Sequence, residues 1–444
     1  MNTNQVTMDT VPLNKFHLKL FAYCAGCPLV DGYVLGSIAI SLSIMNTQIP
    51  MSPIMSGLIG MGSLLGMFFG GMFGGYITDL IGRKKMYILD FALLTILGIL
   101  QFFISDPMQS FIIRILLGVG LGATFPIAGP YLSEFSPQKN RGTFVGALNA
   151  VWFIGYALSY VVCYLLLPVG VNNWRWMLVS GAVPSLLWLI FIFAMPESPR
   201  WLVSKGREKE ANDILKQIGN NVVLPEEQEP EEKTAFLDIF RNGYGKWVFF
   251  AAAFWTLQIV PVFGLGTYLP TIMEKFGFAQ GNLQYLGSAI INCLYLIGLI
   301  PIFLYMDTAG RRPTLIWSFL ICAASLLILG LISGRNMPFG VILILFVLFG
   351  ASNTAGGAHQ WVYPNELFPT HIRATAVGFI TGVTRVLSAI STFFAPIVLS
   401  NFGLTATLYI CAAVSAAGLL LSIVMAPETK NMNLTKAASL NKSI

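Results

Sequence analysis

Hydrophobic residues in this chain are grouped into about twelve long runs that are separated by polar segments, most of them short. Each run is long enough for a helix that crosses a bilayer, which takes roughly 20 apolar residues. The runs do not alternate apolar and polar positions, so helices rather than barrel strands are predicted. They cover residues 18–45, 53–77, 86–105, 109–133, 142–168, 175–195, 247–273, 282–306, 314–333, 338–362, 374–399 and 405–426.

Three polar motifs recur in the same order in the first and second parts of the chain. The repeated positions are Asp79 and Asp307, Glu134 and Glu366, and Pro196 and Pro427, at offsets of 228, 232 and 231 residues. Because three motifs share nearly one offset, two homologous six-helix halves are predicted. We place the first half at 1–195, a cytoplasmic linker at 196–246, and the second half with a short tail at 247–444.

The composition indicates that lipid is the solvent of this chain. Apolar residues make up 55% of it, charged residues 10%, and the mean hydropathy is +0.72, whereas soluble domains carry roughly 25% charged residues. The six cysteines lie mostly inside apolar runs, and we interpret Cys24-x-x-Cys27 as small apolar filler. The sequence contains no metal-ligand cluster and no ATP-binding loop, so an enzyme, a metal or a cofactor is not expected.

Basic residues predict the orientation in the membrane. Of the 26 Lys and Arg residues, 21 fall in the terminal segments and in the loops on the same side of the membrane. This asymmetry places both termini in the cytoplasm. The net charge of +6 is thus a signal of topology, and nucleic-acid binding is not expected. The first run contains Asp31 and is not followed by a cleavage site, so we predict a retained helix rather than a signal peptide.

The motifs resemble those of the Major Facilitator Superfamily, in the branch of sugar porters and metabolite:proton symporters, which includes bacterial inner-membrane permeases. The similar segments are Asp79-x-x-Gly82-Arg83-Lys84, Arg114-x-x-x-Gly118-x-Gly120, Glu134 with Arg141-Gly142, Pro196-Glu-Ser-Pro-Arg-Trp-Leu202, Trp361-x-x-Pro364-x-Glu366, and Pro427-Glu-Thr-Lys430. The resemblance implies an all-α bundle of twelve transmembrane helices in two pseudo-symmetric halves. It also implies a multi-pass monomer of the inner membrane that moves a small molecule by alternating access.

The resemblance further implies a latch at the cytoplasmic face. Its members are Asp79, Arg83, Glu134, Arg141, Glu197, Arg200, Asp307, Arg311, Glu366 and Arg373. We expect its acids and bases to pair when the two halves close at that face and to separate when they open. Half-exposed ion pairs contribute only about 0–1 kcal/mol each, which suits a reversible gate. The alternative is that the basic members serve topology alone.

Three ionisable residues lie deep inside predicted helices: Asp31, Arg114 and Arg385. Charges at this depth are costly and usually face a partner or the interior of the bundle. The resemblance implies that Asp31 pairs with Arg114 and carries a coupled proton, although the family often has its acid at the position of Val34. A structural ion pair is the alternative. For Arg385 there are two alternatives, contact with an anionic substrate and hydrogen bonding to helix carbonyls.

The candidate substrate-binding residues are Asn149, Gln258, Tyr268, His359, Trp361 and Arg385. Pro261, Gly264 and Gly266 predict a local break in the seventh helix. The resemblance implies that Trp361 packs against a ring and that Asn149, Gln258 and Tyr268 contact its polar edges. His359 is either a ligand contact or a hydrogen-bonded interior histidine, and we favour the second.

The predicted function is uptake of a sugar or sugar-like metabolite with protons. The first alternative is an organic anion:proton symporter for an aromatic or hydroxy carboxylate, favoured by Arg385. A third alternative is a non-transporting nutrient sensor. The short tail at about 427–444 disfavours the sensor, since sensors of this family carry long cytoplasmic tails.

Overall fold

The computed structural model describes residues 6–8, 11–137, 141–219, 222–223, 236–241, 243–300 and 309–430. Before the linker, the helices are α1 (Lys15–Gln48), α2 (Pro53–Ile81), α3 (Arg83–Leu100), α4 (Pro107–Phe135), α5 (Arg141–Leu165), α6 (Asn173–Val179) and α7 (Ala182–Ile192). The linker contains α8 (Pro199–Ser204) and α9 (Glu208–Ile218). After it follow α10 (Tyr244–Gly266), α11 (Leu269–Lys275), α12 (Leu283–Tyr295), α13 (Arg311–Ile332), α14 (Phe339–Gly357), α15 (His359–Leu367), α16 (Thr370–Asn401) and α17 (Gly403–Met425).

Eleven segments of the described chain are long and apolar enough to cross a membrane. The eighth predicted run begins as α12, and its last residues, 301–306, lie outside the described part of the chain. The sixth, seventh and tenth runs each fold as two helices in sequence. In the seventh run, α10 continues through Pro261 and Gly264, and the interruption falls at residues 267–268, just before Pro270 at the start of α11.

Close helix packing in the first half depends on glycine. A Cβ atom added to Gly66 or Gly70 of α2 would lie 2.1 or 2.0 Å from a backbone oxygen of α4. Gly118 and Gly122 of α4 face backbone oxygens of α2 in the same way, at 2.1 and 2.2 Å. Both pairs have the spacing Gly-x-x-x-Gly, which lets helix backbones touch inside a membrane. The α2–α4 pair is therefore a rigid unit.

The start of α1 is tied to the linker. Asn14 caps α1, because its side chain accepts from the backbone N–H groups of Phe16 and His17. The Asn14 side-chain amide also donates to the carbonyl of Ile218 at the end of α9, at 2.7 Å. In addition, β1 (Val6–Thr7) pairs in parallel with β2 (Val222–Val223). We call this end of the bundle, where α1 begins and α17 ends, the linker face, and the opposite end the far face.

The two sets of spanning helices meet through α2 against α16 and α5 against α12. Near the far face the approach of α2 and α16 is tight, because a Cβ on Gly57 would lie 2.4 Å from the carbonyl oxygen of Phe393. Nearer the linker face, helices of both sets instead surround a cavity.

Candidate functional site

A cavity of about 130 Å³ lies between the two halves, near the middle of the spanning helices. From the first half, its polar and aromatic lining includes Asp31 on α1 and Asn149 and Trp152 on α5. From the second half it includes Trp255 on α10, Asn353 on α14, Gln360 on α15 and Arg385 on α16. Gly129 and Gly357 also line it, and among the described atoms none lies within 4 Å of a Cβ built on either glycine.

Asp31 is fully buried and is held by α5. The indole N–H of Trp152 donates to its Oδ2 at 2.8 Å, and the Trp152 ring stacks on Tyr156 with centroids 5.2 Å apart. The other carboxyl oxygen, Oδ1, has no hydrogen-bond partner among the described residues. Asp31 interacts electrostatically with Arg385 of α16.

The predicted pairing of Asp31 with Arg114 is wrong for this structure. Arg114 is 1% exposed and its Nε donates to the carbonyl of Ile59 on α2, at 3.1 Å. The charged groups that act on Asp31 do not include Arg114, and Arg114 does not line the cavity. The physical reason is that Arg114 packs into the α2–α4 contact, where Gly62 leaves room for its side chain.

Gln258 supports the cavity wall rather than lining it. Its Nε2 donates to the carbonyl of Asn353 at 3.1 Å, and its Oε1 accepts from Gln360 at 2.9 Å. The Asn353 amide donates in turn to the Gln258 carbonyl at 2.8 Å. Gln258 therefore orients two residues that do line the cavity. Its own side chain is hydrogen-bonded to them and does not line the cavity, contrary to the expected direct contact with a ligand.

Tyr268 closes the far side. Its hydroxyl donates to the carbonyl of Ser56 on α2 at 3.0 Å, and it does not line the cavity. Tyr160 of α5 likewise donates to the carbonyl of Gly266 at the end of α10, at 2.9 Å. Both hydrogen bonds join one half to the other, so the far face is closed in this conformation.

His359 is a hydrogen-bonded interior residue, as we favoured. It is 1% exposed, its Nδ1 lies 2.9 Å from the carbonyl of Gly356, and its Nε2 lies 2.9 Å from the Thr314 hydroxyl. Both ring nitrogens are thus within hydrogen-bond distance of a partner, and His359 does not line the cavity. Of the other candidates, Asn149 and Arg385 line the cavity, whereas the side chain of Trp361 lies outside the described part.

Five residues of this region were not selected by the sequence analysis. Trp152, Trp255, Asn353 and Gln360 contribute to the lining. Asp90 of α3 is a fourth deep charge: it is 3% exposed, interacts electrostatically with Asp31, and has no hydrogen-bond partner for either carboxyl oxygen among the described residues. The signal for Asp90 was present, because it is an acid inside the third apolar run.

An ion cluster lies at the linker face of the first half. Arg83 pairs with Glu134 at 3.5 Å, and the Ser198 hydroxyl donates to the same carboxylate. Glu197 accepts from the backbone N–H groups of Arg83 at 2.9 Å and Lys84 at 3.2 Å. The cluster therefore joins α3, the end of α4 and the chain after α7.

The second half repeats this cluster residue by residue. Arg311 pairs with Glu366 at 3.3 Å, and the Thr429 hydroxyl donates to Glu366. Glu428 accepts from the backbone N–H groups of Arg311, Arg312 and Lys430, at 3.0, 3.1 and 2.9 Å. Burial raises the pKa of the Glu428 carboxyl, but these three donors and the Arg311 charge outweigh it and hold the pKa below its usual value.

Both ion pairs described among the predicted latch residues join helices within one half. They therefore stabilise packing inside each half, and pairing between the two halves at this face stays a prediction. Arg200 of the linker acts electrostatically on Glu134 of the first half, and Arg373 donates to the carbonyl of Phe368 at 3.1 Å. Asp307 and the side chains of Asp79 and Arg141 lie outside the described residues.

Comparison with known proteins agrees with this architecture. Residues 27–440 match the family model described as "Sugar (and other) transporter". The chain is 37% identical to "Putative metabolite transport protein YaaU" of Escherichia coli (strain K12), with 97% of each chain covered. It is 35% identical to the inner membrane metabolite transport protein YgcS of the same organism, with 99% of this chain and 98% of YgcS covered.

Solved structures of XylE from E. coli have the same fold. The partially occluded inward open conformation of this xylose transporter has a TM-score of 0.81 at 22% identity, covering 95% of this chain and 100% of XylE. A structure bound to 6-bromo-6-deoxy-D-glucose, titled an MFS (major facilitator superfamily) proton:xylose symporter, has a TM-score of 0.73 at 22% identity and covers 96% and 99% of the two chains. The predicted all-α fold of twelve transmembrane helices in two halves is confirmed. The chain belongs to the sugar (and other) transporter family and is a multi-pass membrane protein that transports a metabolite and is not an enzyme.

Proposed function

We propose that this protein carries a small, sugar-like metabolite across a bacterial inner membrane by alternating access, together with a proton. The observation that carries this proposal is the cavity between the two halves, where the buried carboxyl group of Asp31 lies beside tryptophan rings and amides. Indole faces stack on sugar rings and amides bind hydroxyl groups, which is the usual composition of a small-ligand site. The shared fold with XylE, a xylose transporter, supports a sugar-like ligand.

The transport cycle is a rocking of 1–195 against 247–444, with the linker 196–246 joining them and a monomer as the working unit. The excess of basic residues at the linker face supports a cytoplasmic position for that face and for both termini. The far-face hydrogen bonds of Tyr160 and Tyr268 support a conformation that opens to the cytoplasm. The intra-half ion clusters keep each half rigid as it moves.

Asp31 is the proton carrier in this proposal. It is the carboxyl group that both lines the cavity and lies at membrane depth, and such groups mark proton pathways in transporters. Its charge is balanced by the Trp152 hydrogen bond, by Arg385 and by whatever occupies the cavity. Ligand arrival therefore changes the free energy of protonating Asp31, which is the coupling that a symporter needs.

The experiment begins with thermal shifts of the purified full-length protein in D-xylose, D-glucose, D-galactose, myo-inositol and their acid derivatives, since a bound ligand raises apparent stability. The stabilising compound is then tested for uptake into proteoliposomes under an imposed pH gradient. Asp31→Asn should abolish uphill accumulation while leaving counterflow exchange. The matched control Asp106→Asn, at an exposed position before α4, should accumulate like wild type. Full accumulation by Asp31→Asn contradicts the proton role, and a complete lack of stabilisation by the panel contradicts the sugar-like class.

A second candidate is an organic anion:proton symporter. The position of Arg385 in the cavity favours it, because a guanidinium at membrane depth binds a carboxylate through charge-assisted hydrogen bonds. The two candidates share the cavity, the proton carrier and the cycle, and they differ in the charge of the ligand.

A further inference from the structure

We propose that the transported metabolite carries a carboxylate, and that Arg385 binds this carboxylate while Asp31 takes up the accompanying proton. The inference rests on the proposed function and narrows its substrate to a hydroxylated, ring-sized organic acid such as a sugar acid. A ligand of this class joins the two candidate functions, because it is sugar-like in its hydroxyl groups and anionic at one end.

The two charges of the cavity come from different halves. Asp31 lies on α1 and Arg385 on α16, both line the same cavity, and they act on each other electrostatically. Asp31 also interacts electrostatically with Cys27 on the same helix and with Asp90 on α3. Neither supplies a positive charge, so Arg385 is the cation that balances Asp31 in the described part of the site.

The size of the cavity limits how a ligand can be placed. Pockets for drug-sized molecules measure roughly 300–1,000 Å³, and this cavity measures about 130 Å³. A ligand of one ring therefore fills it and lies close to both charged groups. Trp152 holds the Asp31 carboxyl from the side of α5, so Asp31 cannot turn away when a ligand arrives without losing that hydrogen bond.

Charge balance then selects the ligand. Without ligand, the Asp31 carboxylate and the Arg385 guanidinium compensate each other. A neutral sugar placed between them weakens this attraction and supplies no replacement charge, which is unfavourable in a buried site. A carboxylate compensates Arg385 directly, but it leaves Asp31 as a second buried anion beside it. One proton on Asp31 removes that anion, so the neutral loaded cavity contains one carboxylate, one guanidinium and one carboxylic acid.

This arrangement also explains how coupling is enforced. A cavity with the carboxylate but without the proton has one excess negative charge, and a cavity with the proton alone has one excess positive charge. Both states are disfavoured when the halves close around the site and exclude water. The protein therefore changes conformation easily in two states. One is the empty state with its internal ion pair, and the other holds the acid anion and the proton together.

The test uses the purified full-length protein and ring-matched probes. D-glucuronate is compared with D-glucose, and D-galacturonate with D-galactose, with D-gluconate and quinate as further acids. We expect at least one acid to raise the melting temperature and its neutral partner to have no effect. Calorimetry in two buffers with different protonation enthalpies should show uptake of close to one proton per bound acid above the pH at which free Asp31 titrates.

Variants separate the two charged groups. Arg385→Gln should weaken acid binding by at least about tenfold, since truncating one partner of a desolvated charge pair has effects of this size or larger, and Arg385→Lys should restore part of it. Arg335→Gln, which removes the same charge at an exposed position before α14, should bind like wild type. Asp31→Asn should bind the acid without proton uptake.

The outcomes distinguish failure of this inference from failure of the proposed transport function. If a neutral sugar binds as well as its acid, or if Arg385→Gln binds an acid as tightly as wild type, the carboxylate class is wrong while sugar transport stands. If none of the four acids binds, the inference is also wrong. Should Arg385→Gln fail to fold, the Arg385→Lys affinity still decides the role of Arg385, because a purely structural arginine would leave acid binding in Arg385→Lys at the wild-type value. The proton count in Asp31→Asn separately decides the role of Asp31, and uptake of a proton by that variant would contradict the inference.

Discussion

The hydroxyl group of Tyr268 donates a 3.0 Å hydrogen bond to the backbone carbonyl of Ser56, which joins the second half of the chain to the first on the far side of the cavity. The ring lies against Gly60, where a Cβ would come within 2.5 Å of the hydroxyl oxygen. The contact can exist only while the far face is closed. It therefore stabilises the conformation that opens toward the linker face.

Tyr268→Phe should shift the population toward a conformation that is open at the far face. One hydrogen bond contributes about 0.5–1.5 kcal/mol net, so the ratio of the two conformations should change by roughly 2- to 12-fold. Spin-label distances between Thr47 and Asn401, at the far ends of α1 and α16, measure the shift. Tyr131→Phe is the control, because its hydroxyl donates to the carbonyl of Pro196 at the start of the linker, at 2.6 Å, and not to the second half. Equal distances in both variants would contradict a gating role for Tyr268.

Glu366→Gln should lower stability without opening the linker face. Glu366 pairs with Arg311 and accepts from Thr429, all in the second half. Removing the charge of a partly buried, hydrogen-bonded carboxylate costs about 1–3 kcal/mol of unfolding free energy. Glu134→Gln should behave in the same way, since Glu134 pairs with Arg83 in the first half. Denaturation gives the stability, and spin labels on the linker face give the opening. A change in those distances at unchanged stability would contradict this prediction and support a latch between the two halves.

Gly82→Ala should be much more harmful than an alanine at another glycine of similar backbone geometry. Gly82 has φ of 100°, and a Cβ there would lie 2.5 Å from a carboxylate oxygen of Glu197. Gly170 has φ of 114° and no described atom within 4 Å of such a Cβ, so it isolates the backbone strain. The difference in melting temperature between the two variants reports the displacement of Glu197. Equal losses would mean that the Glu197 contact contributes nothing.

Glu428 should make stability depend on pH in the acid range. Its carboxyl pKa is lowered in the folded protein, while an unfolded Glu titrates near about 4.3. A lowered pKa stabilises the fold above the unfolded value, and this contribution is lost as the pH falls through the folded value. Glu428→Gln should therefore lower the melting temperature at pH 7 and have a smaller effect near pH 3. A pH-independent difference between wild type and Glu428→Gln would contradict this.

The spanning helices and the repeated clusters could be predicted because they depend on run length and on motif spacing. The side chains that face the cavity could not be predicted in the same way. The sequence of a helix shows its apolar periodicity, but not how the helix is rotated relative to partners that are far away in sequence. Gln258 and His359 have the right chemistry for a ligand, yet their polar atoms are used by Asn353, Gln360, Gly356 and Thr314. Likewise, the partner of Asp31 comes from α16 rather than α4, which only the packing of the two halves decides.

Asp90 is a second case, since it interacts electrostatically with Asp31 but does not line the cavity. Gly120 of α4 makes room for it: a Cβ there would lie 2.9 Å from its Oδ1. Two carboxylates that act on each other in a low-dielectric interior are not both ionised at low cost. Asp31 has the Trp152 hydrogen bond and Arg385 to stabilise a negative charge. Asp90 has no hydrogen-bond partner in the described part of the chain, so we expect it to remain the neutral acid throughout the cycle.

Asp90→Asn is the test, because an amide has nearly the shape of a neutral carboxylic acid and cannot ionise. We expect wild-type accumulation under a pH gradient, an unchanged pH profile of transport, and a stability within about 1 kcal/mol of wild type, the size of one net hydrogen bond. Asp90→Ala serves as a second variant, since it removes the unpaired polar group without adding volume beside Gly120, and it should also leave accumulation and the pH profile unchanged. If Asp90→Asn instead shifts the pH profile or reduces accumulation as Asp31→Asn does, the two acids share the proton and Asp31 is not the sole carrier.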